Sequence, residues 1–298
     1  MNQPIELRKT RDFGQIINDT FTFLKENFKP LFLSLLIICG FFIVVGTVTS
    51  VFQYLGMMNL YRGAFPFNTN ANSYNVPEYT VTYFVSLLFN AFVMIMLQVC
   101  IHMVTLCYIS VYLQKGNIKP TFEEVWGYFK FYFFRVIGSG IVIAILIGVG
   151  FLLCIFPGIY VANVFYLVIP IIIIENTSFS YAFNRSFKLI KNNWWFVFGI
   201  IFITSLIVGI ASSFAGIPLT ILTVGSSFFS NKSFTLPLII FFSALRNILM
   251  LAYALSAIAV ALCYFNLSEE KEGLGLMERI DKFGKTNEND SSHPKEEY

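Results

Sequence analysis

The sequence predicts an all-α integral membrane protein with six transmembrane helices, two to three amphipathic interfacial helices and a three-unit internal repeat. Hydrophobic residues make up 56% of the 298 residues and charged residues only 12%, against about 25% in an ordinary soluble domain. These proportions exclude a soluble globular protein. The charge-free stretches that predict the spans are 30–61, 79–114, 136–174, 192–231 and 247–268.

The first two charge-free stretches each predict one span, because a helix needs about 20 apolar residues to cross a hydrocarbon core of about 30 Å. We place the first span at 31–52 and the second at 81–113. The first span is not predicted to be a cleaved signal peptide, because no small-residue cleavage pattern follows it. The stretch 136–174 is twice as long as one crossing requires, and Phe156-Pro157-Gly158 lies at its middle. Because proline and glycine interrupt helices, this stretch predicts a hairpin of spans three and four.

The fifth span is predicted at 194–216, ended by Pro218, and the sixth at 245–265. Between them, 219–244 is apolar but broken by glycine, serine, asparagine and proline. We expect an interfacial or re-entrant segment there.

The distribution of Lys and Arg predicts the orientation of these spans. Five cations lie before the first span, four between spans two and three, three between spans four and five, and five in the tail, whereas the opposite side carries only Arg62 and Lys232. Cations accumulate in cytoplasmic loops. Both termini are therefore predicted in the cytoplasm, with the loop 54–79 outside. We attribute the basic inner face to topology and anionic lipid, and expect no nucleic-acid partner.

An internal repeat relates the segments that precede spans one and five. Apolar positions with helical spacing recur at a constant offset of 166 residues. The first copy is Phe13, Ile16, Ile17, Thr20, Phe21, Leu24 and Phe28, and the second is Phe179, Ala182, Phe183, Ser186, Phe187, Ile190 and Trp194. Polar residues lie between them, so each copy is predicted to be an amphipathic helix in the inner interface.

A shorter third copy is predicted at 122–133, opened by a capping box of Thr121 and Glu124. The chain then divides into repeat units of about 13–113, 122–175 and 179–266, which together form a polytopic membrane domain at 1–268. Residues 269–298 are predicted to be a polar cytoplasmic tail, largely disordered. The alternative is that these helices are only basic flanks that set the topology.

A series of residues from 156 to 195 resembles the signature of a family of bacterial membrane proteins. The series is Phe156-Pro157-Gly158-Ile159-Tyr160, Pro170, Glu175, Ala182, Arg185-Ser186, Lys188-Leu189 and Trp194-Trp195. Members are six-helix inner-membrane proteins, mostly uncharacterised, similar to the membrane domain attached to some glycerophosphoryl diester phosphodiesterases. The resemblance implies a fold and a location in the bacterial inner (cytoplasmic) membrane. It implies no activity, because the phosphodiesterase is a separate barrel of about 250 residues that this chain has no room for.

Four polar residues of the second span form a candidate intramembrane face: Asn90, Gln98, His102 and Thr105. The spacing of Asn90, Gln98 and His102 places them on one side of a helix, with Thr105 next. One interpretation is a polar lining for transport, with His102 as the titrating group. The other, which we favour, is that these residues make hydrogen bonds between helices, because no carboxylate lies in the predicted spans to complete a proton relay.

Charged residues at the ends of spans form the second candidate set. Glu175 ends the fourth span and could bind a cation or a lipid amine, or pair with Arg185 or Lys188 at the corner of the chain. We favour pairing. Arg246, near the outer end of the sixth span, could bind an anion, although snorkelling to the outer surface is the simpler interpretation.

No catalytic motif and no metal-ligand or cofactor-binding pattern is present in the sequence. We therefore predict a non-enzymatic polytopic inner-membrane protein that acts as a lipid-associated scaffold or partner module, with no cofactor. Its expected partners are membrane lipids and a further protein. The alternative is a transporter or lipid-handling channel that uses the polar face of the second span. A membrane enzyme with dispersed active-site residues ranks third.

Overall fold

The computed structural model describes residues 5–64, 76–225 and 232–273, and the side chains of 5–58, 80–225 and 235–273. Nine α-helices and no β-strand occur within these residues. The helices are α1 (Phe13–Ala64), α2 (Val76–Gln114), α3 (Phe122–Leu153), α4 (Ile155–Phe165), α5 (Val168–Ile174), α6 (Phe179–Ile190), α7 (Trp194–Gly225), α8 (Lys232–Leu249) and α9 (Tyr253–Glu272). A short 3-10 helix, Met250–Ala252, joins α8 to α9.

Six helical segments of the described chain are long and apolar enough to cross a membrane. They are Phe13–Met58, Thr80–Gln114, Phe122–Leu153, Ile155–Ile174, Trp194–Gly225 and Thr235–Glu272. The predicted fold class is therefore confirmed at this level: the chain is an all-α, multi-pass membrane protein with six spans.

The amphipathic segments before spans one and three are not separate helices. The first continues into its span within α1, through Pro30, and that of 122–133 continues into its span within α3. Only the segment before span five is a helix of its own, α6. The reason lies in the residues that follow α6, where Asn192 has a φ of 73°. Asparagine tolerates this left-handed conformation, whereas the aligned residue of the first copy, Glu26, remains helical.

The hairpin between spans three and four turns earlier than the sequence predicts. α3 ends at Leu153 and Cys154 is extended, so Pro157 lies in the first turn of α4. Proline is tolerated there because first-turn N–H groups have no partner within the helix. A Cβ added to Gly158 would lie 2.6 Å from the ring of Phe151, so glycine allows the two arms to approach.

The predicted end of span five at Pro218 is wrong. α7 continues through Pro218 to Gly225, and the stretch 219–244, predicted to be interfacial or re-entrant, is helical on both sides of 226–231. Its position relative to the membrane stays a prediction. A proline removes one backbone hydrogen bond, which packing can offset. Here Leu219 is buried with Met58 of α1 and Ile239 of α8. Burial against these two helices explains why the chain stays helical beyond the proline.

The chain divides into two compact bodies. The terminal body comprises the described parts of Met1–Phe23, Arg135–Ile200 and Ala259–Tyr298, and the central body comprises those of Leu24–Phe134 and Ile201–Ile258. In the terminal body, α6 packs against α4 and α5, and Phe13 meets Phe196 edge to face with ring centroids 6.1 Å apart. The first and the last described segments of the sequence therefore contribute to the same body.

The three predicted repeat segments share one pattern of burial. Aligned on Phe13, Phe122 and Phe179, their fourth, eighth and eleventh residues are all buried. These are Ile16, Thr20 and Phe23; Val125, Phe129 and Tyr132; and Ala182, Ser186 and Leu189. A repeat would bury the same three positions in each copy. Any helices with equally spaced apolar residues would also show this pattern of burial. The internal repeat stays a prediction.

Two further predictions fall outside the described residues. The middle of the predicted outer loop, 65–75, is one, and the predicted disordered tail from residue 274 is the other. The first residues of the predicted tail are described, and 269–272 continue α9.

Candidate functional site

The polar face predicted on the second span begins with Asn90 in the central body. Asn90 is 6% exposed, and its Nδ2 donates hydrogen bonds to Thr49 Oγ1 at 2.9 Å and to Ser50 Oγ at 3.1 Å. Both acceptors belong to α1. Asn90 therefore joins α2 to α1, which is the interhelical role that we favoured for it.

The other members of this face bond within α2. His102 Nδ1 lies 3.1 Å from the carbonyl oxygen of Gln98, and Thr105 Oγ1 donates to the carbonyl oxygen of Ile101 at 2.8 Å. Thr105 is completely buried, whereas Gln98 and His102 are half-buried. The four predicted residues share a helix and a face, but the structure does not bring them together as one hydrogen-bonded cluster.

A second polar pair in the central body was missed by the sequence analysis. Asn247 of α8 is fully buried, and its Nδ2 donates to the carbonyl oxygen of Ser243 at 2.8 Å and lies 3.4 Å from Thr47 Oγ1 of α1. Neither Asn247 Oδ1 nor Ser243 Oγ has a hydrogen-bond partner among the described residues. Because Asn247 opens the charge-free stretch 247–268, only the single asparagine could have drawn attention to this position.

Arg246 lies beside this pair and binds a tyrosine. Its Nη1 donates to Tyr54 Oη of α1 at 2.8 Å. The guanidinium thus has a neutral partner in the central body. Neither anion binding nor snorkelling is tested by this contact, so both interpretations of Arg246 stay predictions.

The charged residues predicted at the corner before α6 meet in the terminal body. Arg185 Nε donates to Glu175 Oε1 at 2.5 Å, and Tyr264 Oη of α9 donates to the same carboxylate oxygen at 2.5 Å. Arg185 also forms two parallel hydrogen bonds of 2.7 Å with the carboxylate of Glu272. We call these four residues, Glu175, Arg185, Tyr264 and Glu272, the corner cluster.

The charge balance of the corner cluster keeps the arginine protonated. Partial burial lowers the pKa of Arg185, but the hydrogen bonds to Glu272 and the charge and hydrogen bond of Glu175 outweigh it, so the net pKa lies above its usual range. Two carboxylates surround one guanidinium whose side chain is 15% exposed. Bidentate arginine–carboxylate contacts of this kind fix geometry as well as charge. The arrangement therefore fastens α6 to the end of α9.

Lys188 takes part in this corner through its backbone and not through its side chain. Its side chain is exposed, whereas its carbonyl oxygen accepts a hydrogen bond from Lys271 Nζ, which also donates to the carbonyl oxygen of Lys191 at 2.9 Å. Carbonyls in the last turn of a helix lack intrahelical partners, and a cation there is favourable. Lys271 thus caps the C-terminal end of α6.

The end of α9 is the part of the site that sequence reasoning missed. The sequence analysis assigned Lys271 and Glu272 to the polar tail. Glu270, in the same predicted tail, also takes part in the site, because its Oε2 accepts a hydrogen bond from Asn193 Nδ2 at 2.9 Å. A run of acidic and basic residues directly after an apolar span, Glu269-Glu270-Lys271-Glu272, is the signal that could have indicated a helix continuing beyond the span.

Arg11 forms a second charged centre of the terminal body that the sequence analysis did not identify. Its side chain is fully buried, and its Nε donates to Asp19 Oδ2 at 2.8 Å while Nη1 donates to the carbonyl oxygen of Leu7 at 2.8 Å. Its backbone N–H donates to Asn266 Oδ1 of α9 at 2.6 Å. This centre fixes the segment before α1 to α9.

Residues suited to metal binding are not grouped in the described part of the chain. No three His, Cys, Asp or Glu residues there lie close enough together to hold an ion. All five cysteines are free, and Cys154 alone among them is exposed. The site therefore offers ion pairs and hydrogen bonds that join helices.

Comparisons of the chain with protein-family models, with curated proteins and with solved structures find no match.

Proposed function

We propose that this chain is a non-enzymatic protein of the bacterial inner membrane with both termini in the cytoplasm, and that it serves as a lipid-associated scaffold or partner module. The observation that carries the proposal is the corner cluster. Its charged groups bind one another across α6 and α9 and leave a different set of α6 residues exposed.

The exposed side of α6 is the surface that we propose for recognition. It consists of Ser180, Tyr181, Asn184, Lys188 and Lys191. It is basic and carries an aromatic ring, and Tyr181 is 48% exposed. Lysine and tyrosine suit the headgroup region of an anionic membrane or an acidic protein surface. We name this set the α6 outer face.

The predicted orientation and the predicted family support the same location. The excess of Lys and Arg before span one, between spans two and three and around α6 favours a cytoplasmic position for these segments. We also propose that the chain belongs to the six-helix bacterial family that its 156–195 series resembles. We further propose that the chain arose by an internal triplication, with one amphipathic segment in each unit.

The contacts of the second span favour this function over transport. A polar lining would need Asn90 available to a substrate, but both hydrogen bonds donated by its amide go to α1. One cavity of the central body, of about 260 Å³, is lined by apolar residues, and Asn90, Gln98, His102 and Thr105 are not among them.

Photo-crosslinking in living cells tests the proposed function. A photoreactive amino acid is placed at Tyr181 or Asn184 on the α6 outer face, and at Leu152, which is 88% exposed beside the hairpin turn, as the control. We expect the same lipid or protein adduct from both α6 positions and not from Leu152. The absence of any adduct specific to α6, or equal adducts from Leu152, would overturn the proposal.

A further inference from the structure

An apolar groove of about 260 Å³ lies in the central body. One wall is the part of α1 from Leu24 to Leu35, and the other is the junction of α8, the 3-10 helix and the beginning of α9. The lining residues are Leu24, Phe28, Leu31, Phe32, Leu35, Ile248, Leu249, Leu251, Ala252, Ala254 and Leu255. No polar side chain is among them.

The shape of the groove follows from the local backbone. The 3-10 helix Met250–Ala252 is narrower than the α-helices beside it, and Ala252 and Ala254 present only methyl groups. At 1.5 Å per residue, the wall from Leu24 to Leu35 runs for about 16 Å along α1. The volume exceeds that of an engineered apolar cavity of about 150 Å³ that holds benzene. The groove is therefore long, apolar and large enough for a flexible hydrocarbon chain.

Two exposed lysines of α1 directly follow groove residues in the sequence. Lys25 and Lys29 are each one residue beyond a groove residue of α1, which places them about 100° around the helix, and both are exposed. Neither forms an ion pair with any described residue. Both ammonium groups are thus available to an anion.

We propose that the groove binds one acyl chain of an anionic phospholipid of the inner leaflet, with the lipid phosphate between Lys25 and Lys29. This inference rests on the proposed function for its orientation, and it names the lipid class and its place. The choice of occupant comes from the combination of apolar walls and two exposed lysines next to groove residues of α1, which matches a lipid with a negative headgroup.

The affinity of the full-length chain for two lipids tests this inference. The protein is purified in a mild detergent and titrated with phosphatidylglycerol or with phosphatidylcholine of the same acyl chains, and bound lipid is counted by native mass spectrometry. We expect one phosphatidylglycerol to bind about tenfold more tightly than phosphatidylcholine. The double variant Lys25→Gln/Lys29→Gln is expected to remove that preference, whereas Lys119→Gln, an exposed lysine remote from the groove in sequence, is expected to keep it.

Filling the groove tests the acyl-chain part of the site. Ala252→Phe is expected to lower the binding of both lipids about tenfold, and Ile248→Trp, at the more exposed edge, provides a second variant if the first fails to fold. Phe41→Trp, on an exposed surface of α1 outside the groove, is the matched control and is expected to change neither lipid.

Three results would overturn the inference. They are equal affinity for the two lipids in the wild type, unchanged preference in the double lysine variant, and unchanged binding in both groove-filling variants. A large increase in lipid binding on removal of residues 274–298 would identify the tail as the occupant and would also overturn it. Crosslinking at Tyr181 and Asn184 does not depend on the groove. A negative result in the lipid-binding tests can therefore be distinguished from a failure of the proposed function.

Discussion

The guanidinium of Arg185 on α6 forms two parallel hydrogen bonds of 2.7 Å with the carboxylate of Glu272, 87 residues further along the chain. Glu175 and Tyr264 complete the arrangement, so that three separate parts of the sequence meet at one point. The contact explains how a short helix of 12 residues outside the spans is held in place.

Removal of the guanidinium should destabilise the protein. Arg185→Gln leaves Glu175 and Glu272 close together without their shared cation, and we expect a loss of about 2 kcal/mol in the free energy of unfolding, between the values for exposed and buried pairs. Equilibrium unfolding in detergent micelles measures it. Lys188→Gln is the matched control, with an expected change below about 0.5 kcal/mol, because that side chain is exposed. Equal effects of the two variants would refute the corner cluster.

A side chain at Gly158 should disturb the hairpin of α3 and α4. In Gly158→Ala the new methyl group would lie 2.6 Å from the ring of Phe151, and we expect a loss of about 1 to 3 kcal/mol. Gly148→Ala on α3 serves as the control, since its methyl group enters open space. The same unfolding measurement compares them. If Gly158→Ala is as stable as Gly148→Ala, the close approach of the two arms does not exist.

Asn192 should resist replacement because of its backbone. At a φ of 73°, Asn192→Ala is expected to cost about 1 kcal/mol, whereas Asn192→Gly should be nearly neutral. Asn184→Ala, at an exposed helical position of α6, provides the comparison. Stability of the three variants is read from thermal unfolding in detergent. An alanine variant with the stability of the glycine variant would argue against the break that separates α6 from α7.

The hydrogen bonds of Asn90 should contribute to stability through α1. Asn90→Leu is expected to lose about 0.6 to 1.7 kcal/mol, the range for such bonds inside membrane proteins. A double-mutant cycle with Thr49→Val measures the coupling, because both residues lie in one interhelical contact. Strict additivity of the two substitutions would show that Asn90 does not bond to Thr49 and would contradict this contact.

The number and type of the spans could be predicted because they depend on composition and length. Each of the six predicted spans overlaps one of the six long apolar helical segments, although several of these segments extend well beyond the predicted ends. The error at Pro218 had a physical cause, since packing of Leu219 with Met58 and Ile239 keeps the helix intact after the proline. Such a contact joins residues far apart in sequence and leaves no local pattern.

The candidate site could be predicted only in part for the same reason. Glu175 and Arg185 are ten residues apart at a predicted corner, so their pairing was accessible from spacing. Glu272 and Tyr264 come from the far end of the chain, and Arg11 is one cation among five that appeared only to set the topology. Their roles depend on which helices are neighbours, which a single sequence does not give.

The side of the membrane that α6 occupies is the most direct test of this account. A chain with its five cysteines replaced by alanine receives one new cysteine, either Asn184→Cys on the α6 outer face or Asn70→Cys in the predicted outer loop. An impermeant maleimide is then applied to spheroplasts and to inverted vesicles. The account predicts labelling of Asn70→Cys in spheroplasts and of Asn184→Cys only in inverted vesicles. Labelling of Asn184→Cys in intact spheroplasts would contradict it.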